Sequence, residues 1–316
     1  MRKIVEFLVK SIIAVLLISY LFYKIGVQQI IGILPGMNLF YFALFWISFF
    51  ASLFLGVINI KILLKGIGYN LPTKKVAKYY TTSWSIGLYA PGKLGEFSLV
   101  YLLRREKIGM GQSMAISVID KVITFIVFGT VSVVGFITFF TIGQSFTLMV
   151  ILSSALAITT VMLLSEFSRS LIKRYILRKL APKFSGFNST MRLILGKINL
   201  LIYNFILTTI KLGLMGLSIH LLFLTFGTKV SFVYTLLIVA IGTIIALIPI
   251  TFSGLGVREA ASVYLFSKLG VNPAVTLTVF LLAVITNYII SAIFFIVIIK
   301  RMRLYEEMSE SKEIFR

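Results

Sequence analysis

Six charged residues stand where charge is costly. Lys93 and Glu96 lie in Tyr89-Ala90-Pro91-Gly92-Lys93-Leu94-Gly95-Glu96, and Asp120 and Lys121 follow inside an apolar run. Arg258 and Glu259 close Pro249-Ile250-Thr251-Phe252-Ser253-Gly254-Leu255-Gly256-Val257-Arg258-Glu259. Their neighbours suit a hydrocarbon layer, where an unpaired charge costs roughly 2.5–3.5 kcal/mol even by lenient insertion scales. Such residues need partners, and by default they mark a pathway. Lys93 and Glu96 are three apart and suit one helical turn. Arg258 and Glu259 are adjacent, point in different directions, and are expected to pair with other elements.

The chemistry on offer is electrostatic. Lys93 and Arg258 adjoin Gly-rich turns that leave helix N-terminal N–H groups free, a setting that favours an anion. A lipid phosphate is the natural anion at this depth. The carboxylates either hold a cationic headgroup or only pair with the bases. Covalent chemistry has little to work with. The chain has no Cys and one His. His220 lies in an apolar run, cannot make a metal site alone, and reads as a polar residue packed between helices. No Gly-Lys-Ser/Thr phosphate loop and no nucleophile–base spacing is present, so neither ATP hydrolysis nor enzymatic catalysis is expected. No metal and no cofactor are expected.

The elements that must position these residues are helical spans. Of 316 residues 59% are hydrophobic, and the mean hydropathy of +1.03 is far above that of a soluble domain. Many apolar runs approach the ~20 residues that cross a bilayer. The fold class is an all-α polytopic membrane protein with about six full spans: 8–25, 39–64, 112–140, 146–164, 200–226 and 273–299. No small-x-small cleavage site follows the first run, so no secretory signal is expected. The net charge of +21 would suggest nucleic acid in a soluble protein. Here most basic residues sit in short loops, where Lys and Arg set orientation, and no nucleic-acid partner is expected. In 166–197, Arg169, Lys173, Arg174, Arg178, Lys179 and Lys183 alternate with apolar residues at helical spacing. That segment reads as a cytoplasmic interfacial amphipathic helix. A polar tail, 304–316, ends the chain.

Two interrupted regions, 79–107 and 232–269, look like copies. Sliding the first by 163 residues puts Glu96 on Glu259, and Val100, Tyr101 and Leu102 on Val263, Tyr264 and Leu265. The same slide matches the flanking spans, giving repeat one over about 39–140 and repeat two over about 200–299 in a single membrane domain. Lys74, Lys75 and Lys78 precede the first region, and Arg104, Arg105 and Lys107 follow it. Both its ends therefore belong in the cytoplasm, which makes it a re-entrant hairpin. With six complete spans both termini are cytoplasmic and the second hairpin opens from outside. Inverted repeats with broken helices near the midplane are a transporter signature. Pro91, Gly92, Gly95, Gly254 and Gly256 make the hairpin turns possible.

These two centres, with Asp120-Lys121 downstream of the first, resemble the membrane domain of the bacterial lysyl-phosphatidylglycerol synthase/flippase family. The resemblance covers nearly the whole chain. It implies a polytopic domain of the cell membrane that moves lipids between leaflets. The pattern departs in places. Where the family has Glu-Arg followed by Asp three residues later, this chain has Asp120, Lys121 and Thr124; where the last span often carries Arg, it has Ala283-Val284-Ile285-Thr286-Asn287. No soluble aminoacyl-transferase domain accompanies the spans, so the chain is not expected to make lysyl-lipid itself.

The function expected first is a flippase-like lipid translocase acting on a phosphate-bearing lipid, with Lys93, Glu96, Asp120, Lys121, Arg258 and Glu259 binding substrate. Its partners are membrane lipids, anionic or phosphate-bearing, with a homo-oligomer or a lipid-modifying enzyme as further partners. An ion-coupled small-solute transporter and an accessory membrane subunit for a glycosyltransferase are the alternatives.

Overall fold

The computed structural model describes residues 2–90, 93–141, 185–248 and 251–314, with four isolated positions at 143, 147, 150 and 154. Among these residues the chain is all helical. The helices are α1 (Arg2–Ile25), α2 (Val27–Ile33), α3 (Leu39–Gly66), α4 (Thr73–Leu88), α5 (Leu99–Leu103) and α6 (Met110–Phe139). Then come α7 (Phe187–Leu195), α8 (Ile198–Thr225), α9 (Phe232–Leu247), α10 (Val257–Ser267) and α11 (Pro273–Ile314).

Four described helices are long and apolar enough to cross a membrane: Leu39–Gly66, Met110–Phe139, Ile198–Thr225 and the Pro273–Ile296 part of α11. They match four of the six expected spans. The first expected span, 8–25, lies within α1, which ends at Ile25. After Ile25 the chain bends by 79° into Val27–Gly36. The cause is local: Gly26 takes φ 91, which stops α1, and α2 starts in a new direction. The bent pair counts as a fifth span only if both pieces are taken together. Apart from positions 147, 150 and 154, the expected span 146–164 and the basic segment 166–184 lie outside the described residues. The end of that segment, α7, buries Met191 and Ile194 against the bundle. Helix α11 continues through the polar tail to Ile314.

Side chains start the long helices. Asn38 Oδ1 accepts from the N–H groups of Phe40 and Tyr41 at 3.0 and 3.4 Å, capping α3. Asn272 Oδ1 accepts from the Ala274 N–H at 2.8 Å beside Pro273, which opens α11. The central pair is α3 against α8. Lipid gives no hydrophobic drive for helix pairing, so small residues and polar ties bring helices together. The Tyr80 hydroxyl is seated on Gly56 and Leu200 on Gly66. Asn59 Nδ2 donates to Thr208 Oγ1 at 3.0 Å, and Ser48 Oγ donates to the Leu214 carbonyl at 2.9 Å.

Helices α4 and α9 each have 16 residues. At 1.5 Å per residue each reaches about 24 Å, short of a ~30 Å hydrocarbon core. Each is followed by a break and a short return element. The order long helix, sixteen-residue helix, break, short element, long helix occurs twice, as α3–α6 and as α8–α11. Sliding the first set by 163 residues carries Leu94, where the first return begins, onto Val257, and Met110 onto Pro273.

Candidate functional site

The first break turns back tightly on α4. Lys93 has φ 58, the left-handed region that a lysine enters only when its surroundings hold it there. Its carbonyl accepts from the Glu96 N–H at 3.0 Å, and the chain returns through a 3₁₀ turn over Leu94–Ser98. A Cβ on Gly87 would lie 2.5 Å from Glu96 Cγ, and one on Gly95 would strike the Ile86 carbonyl. The return strip therefore lies directly on α4, with the Glu96 side chain across Gly87. The Ser83 hydroxyl donates to the Glu96 carbonyl, satisfying one backbone group freed by the break.

At the second break Gly256 has φ 84. Under the 163-residue slide it is the partner of Lys93, so both returns begin from a left-handed residue. A Cβ there would lie 2.9 Å from Leu17 Cβ and 3.2 Å from the Ala14 carbonyl, so α1 closes directly over this turn. Gly254 is pressed equally closely on Ala246. Pro91 and Gly92, expected at the first turn, lie outside the described residues.

Two expected pairings are corrected. Arg258 and Glu259 do not seek other elements; they pair with each other, Nη2 to Oε1 at 2.9 Å and Nε to Oε1 at 3.0 Å. Glu259 lies in the first turn of α10 and curls back so that Oε2 accepts the Gly256 N–H at 2.6 Å. That fixes its carboxylate on the N-terminal side, where the long Arg258 side chain folds over to meet it. The backbone amide expected to await a phosphate is thus taken by the chain's own carboxylate. Glu96, in turn, pairs with Lys121 of α6 rather than with Lys93. The left-handed Lys93 precedes the 3₁₀ turn instead of sharing a helical one. Lys121 Nζ also lies 3.3 Å from Asp120 Oδ2.

Lys211 on α8 was not among the expected site residues, yet its charge acts on Lys121, Glu96 and Asp120. Its Nζ donates to the Tyr80 hydroxyl at 3.2 Å. The signal was a single lysine in an otherwise apolar run. Lys93 lies within electrostatic reach of Glu96, Arg258, Lys121 and Lys211 together. The charges of the two breaks, and those of α6 and α8, therefore form one neighbourhood. The polar side chains of Thr81, Thr82 and Asn287 donate to carbonyls of their own helices. His220 stands edge-on to Phe232 at 5.8 Å.

Away from the spans, Glu106 accepts from the Tyr79 hydroxyl at 2.6 Å and from Lys75 Nζ at 2.9 Å. The Tyr79 hydrogen bond, then that from Lys75, holds its carboxyl below the ordinary value. This tie joins the start of the first hairpin to its end.

Long apolar helices, with charged side chains gathered at two helix breaks, define a polytopic helical membrane protein. The family described as lysylphosphatidylglycerol synthase TM region matches residues 7–294, and the chain belongs to that family. Membership carries a lipid-related function in the membrane. No curated protein matches the chain.

Proposed function

We propose that this protein is a flippase-like lipid translocase of the cell membrane, moving a phosphate-bearing lipid between leaflets without an ATPase of its own and without covalent chemistry. The observation that carries this reading is the shared neighbourhood of Lys93, from the first break, and Arg258, from the second, with Lys121 and Lys211 beside them. A phosphate entering that neighbourhood meets positive charge in place of water, which offsets its desolvation. The acyl chains need no site, since they stay in the hydrocarbon while the headgroup crosses.

The repeated element order and the matching left-handed residues support two copies of one unit. Basic residues flank the first copy's hairpin heavily and the second sparsely, so we read the copies as inverted, with six spans and both termini cytoplasmic. Inversion supplies two gates, one toward each leaflet. A homo-oligomer or a lipid-modifying enzyme is the natural protein partner.

The test is a proteoliposome assay in which a fluorescent phospholipid becomes accessible to an external quencher. Intact protein should exceed empty vesicles, and Lys93→Ala/Arg258→Ala should fall to the empty level. Equal rates for all three, over anionic, aminoacylated and polyprenyl-phosphate lipids, would refute lipid transport. Proton or sodium dependence of Glu96 and Glu259 would then mark a solute transporter.

A further inference from the structure

The charges at the breaks are not equivalent. In each ion pair the cation is the more accessible partner. Arg258 keeps 26% of its side chain exposed while Glu259 keeps none, and Lys121 keeps 33% against 15% for Glu96 and 6% for Asp120. Every carboxylate in the neighbourhood is already engaged. Glu259 holds Arg258 and the Gly256 N–H, Glu96 holds Lys121, and Asp120 lies against the same ammonium. Two cations have no carboxylate within ion-pair distance among the described residues. Lys93 forms no ion pair with a described residue, and Lys211 donates to a tyrosine hydroxyl. Four cations, Lys93, Lys121, Lys211 and Arg258, thus stand against three carboxylates. The surplus is positive, and both unpaired lysines are half-buried rather than sealed in the core.

Resting on the translocase reading, we infer that the site selects a lipid headgroup whose only charge is its phosphate, and that Lys93 and Lys211 are the residues that take it. A headgroup carrying its own ammonium, zwitterionic or aminoacylated, would bring that cation against accessible lysines with no free carboxylate to receive it. The selection is by repulsion as much as attraction. Inorganic phosphate shares the chemistry but lacks the acyl chains that hold a lipid beside the site.

Binding tests this independently of transport. The full chain in neutral detergent is titrated with fluorescent phosphatidylglycerol, then challenged with phosphatidylglycerol, phosphatidylethanolamine, lysyl-phosphatidylglycerol and inorganic phosphate. Phosphatidylglycerol should compete at least about tenfold better than the other three, as expected for one charge-assisted contact. Lys93→Gln/Lys211→Gln should lose about tenfold or more in affinity. Lys211→Arg should retain binding, separating charge from packing, and Lys75→Gln, on the cytoplasmic flank, should bind as the unaltered chain does. Equal competition by an ammonium-bearing lipid, or full affinity in the double variant, overturns the inference. Equal competition by inorganic phosphate overturns the assignment to a lipid. Selective binding without transport in proteoliposomes would sink the translocase and leave the selectivity standing; transport without selectivity would do the reverse.

Discussion

The Arg258–Glu259 pair sets up a cycle of substitutions whose outcomes differ in order as well as size. Glu259 is fully buried and its two oxygens serve different partners, Oε1 the guanidinium and Oε2 the Gly256 N–H. Arg258→Leu leaves a buried carboxylate facing one amide, and removing one partner of a buried pair costs about 3–5 kcal/mol. Glu259→Gln keeps an acceptor for Gly256 and leaves Arg258 unpaired but partly accessible, so about 1–2 kcal/mol is expected, the lower part of the range for hydrogen bonds to charged groups. Glu259→Ala also orphans the Gly256 N–H, adding about 1–3 kcal/mol. Arg258→Leu/Glu259→Gln removes both charges and keeps the amide satisfied, and should fall within about 1 kcal/mol of the unaltered chain. The coupling is then at least about 3 kcal/mol, at or above the top of the usual range for residues in contact. Reversible unfolding in mixed detergent micelles measures all four. If the double substitution is as damaging as its two parts together, the carboxylate is not held by this guanidinium and the geometry argued for the second break is wrong. The double variant also separates stability from function, because it should fold and still lose transport.

Gly256→Ala should lower the unfolding temperature markedly, since φ 84 strains any side chain and Leu17 and Ala14 leave no room; an unchanged transition would show that α1 does not close over the turn. Glu106 is held below its ordinary value of 4.5, so its contribution is complete above that pH and is lost as pH falls through the lower folded value. Glu106→Gln should therefore lose about 1 kcal/mol near neutrality, mostly through the Tyr79 bond because Lys75 is half exposed, and the difference should shrink below about pH 4.5 in paired thermal scans. Cysteines placed singly at Lys75 and Lys107, in a chain with no native Cys, should resist impermeant external reagents in intact cells; external labelling of either would overturn the inverted topology.

The long helices were legible because an apolar run of 24 residues or more has one fate in a membrane. The breaks were legible because Pro, Gly and charge interrupt those runs at two places one repeat apart. What the sequence did not disclose is how the charges pair. Spacing placed Lys93 opposite Glu96 on the assumption of a helical turn, and the left-handed φ of Lys93 removed that turn. Spacing sent Arg258 and Glu259 apart, because it could not show that Glu259 curls back to Gly256 and draws Arg258 after it. Lys211 has the neighbours of an ordinary span, and only the packing of α8 against α3 and α6, with its bond to Tyr80, brings it to the first break. At Gly26, flanked by Lys24, Gln28 and Gln29, the sequence marked the end of the first span but not the direction in which the chain continues.

A broken helix at membrane depth persists only if its freed polar groups are answered from within. At the first break Ser83 answers the Glu96 carbonyl, and at the second Glu259 answers the Gly256 amide. Gly87 and Gly95, and Gly254 against Ala246, then let the returning backbone press on its own helix. The described parts of both breaks are thus tied by the chain's own groups. Hydrogen-bonding capacity is nevertheless left over beside each break. Ser85 and Ser98 near the first, and Thr251 and Ser262 near the second, have buried hydroxyls with no hydrogen-bond partner among the described residues. An unmet buried hydroxyl costs about 1–3 kcal/mol. A second packing of either break that satisfied these groups would recover part of that cost, and alternation between two such packings is what a site opening to each leaflet in turn requires. On the translocase reading proposed above, the ties at the Glu96 carbonyl and the Gly256 amide are kept in both packings, and the contacts of the flanking hydroxyls change.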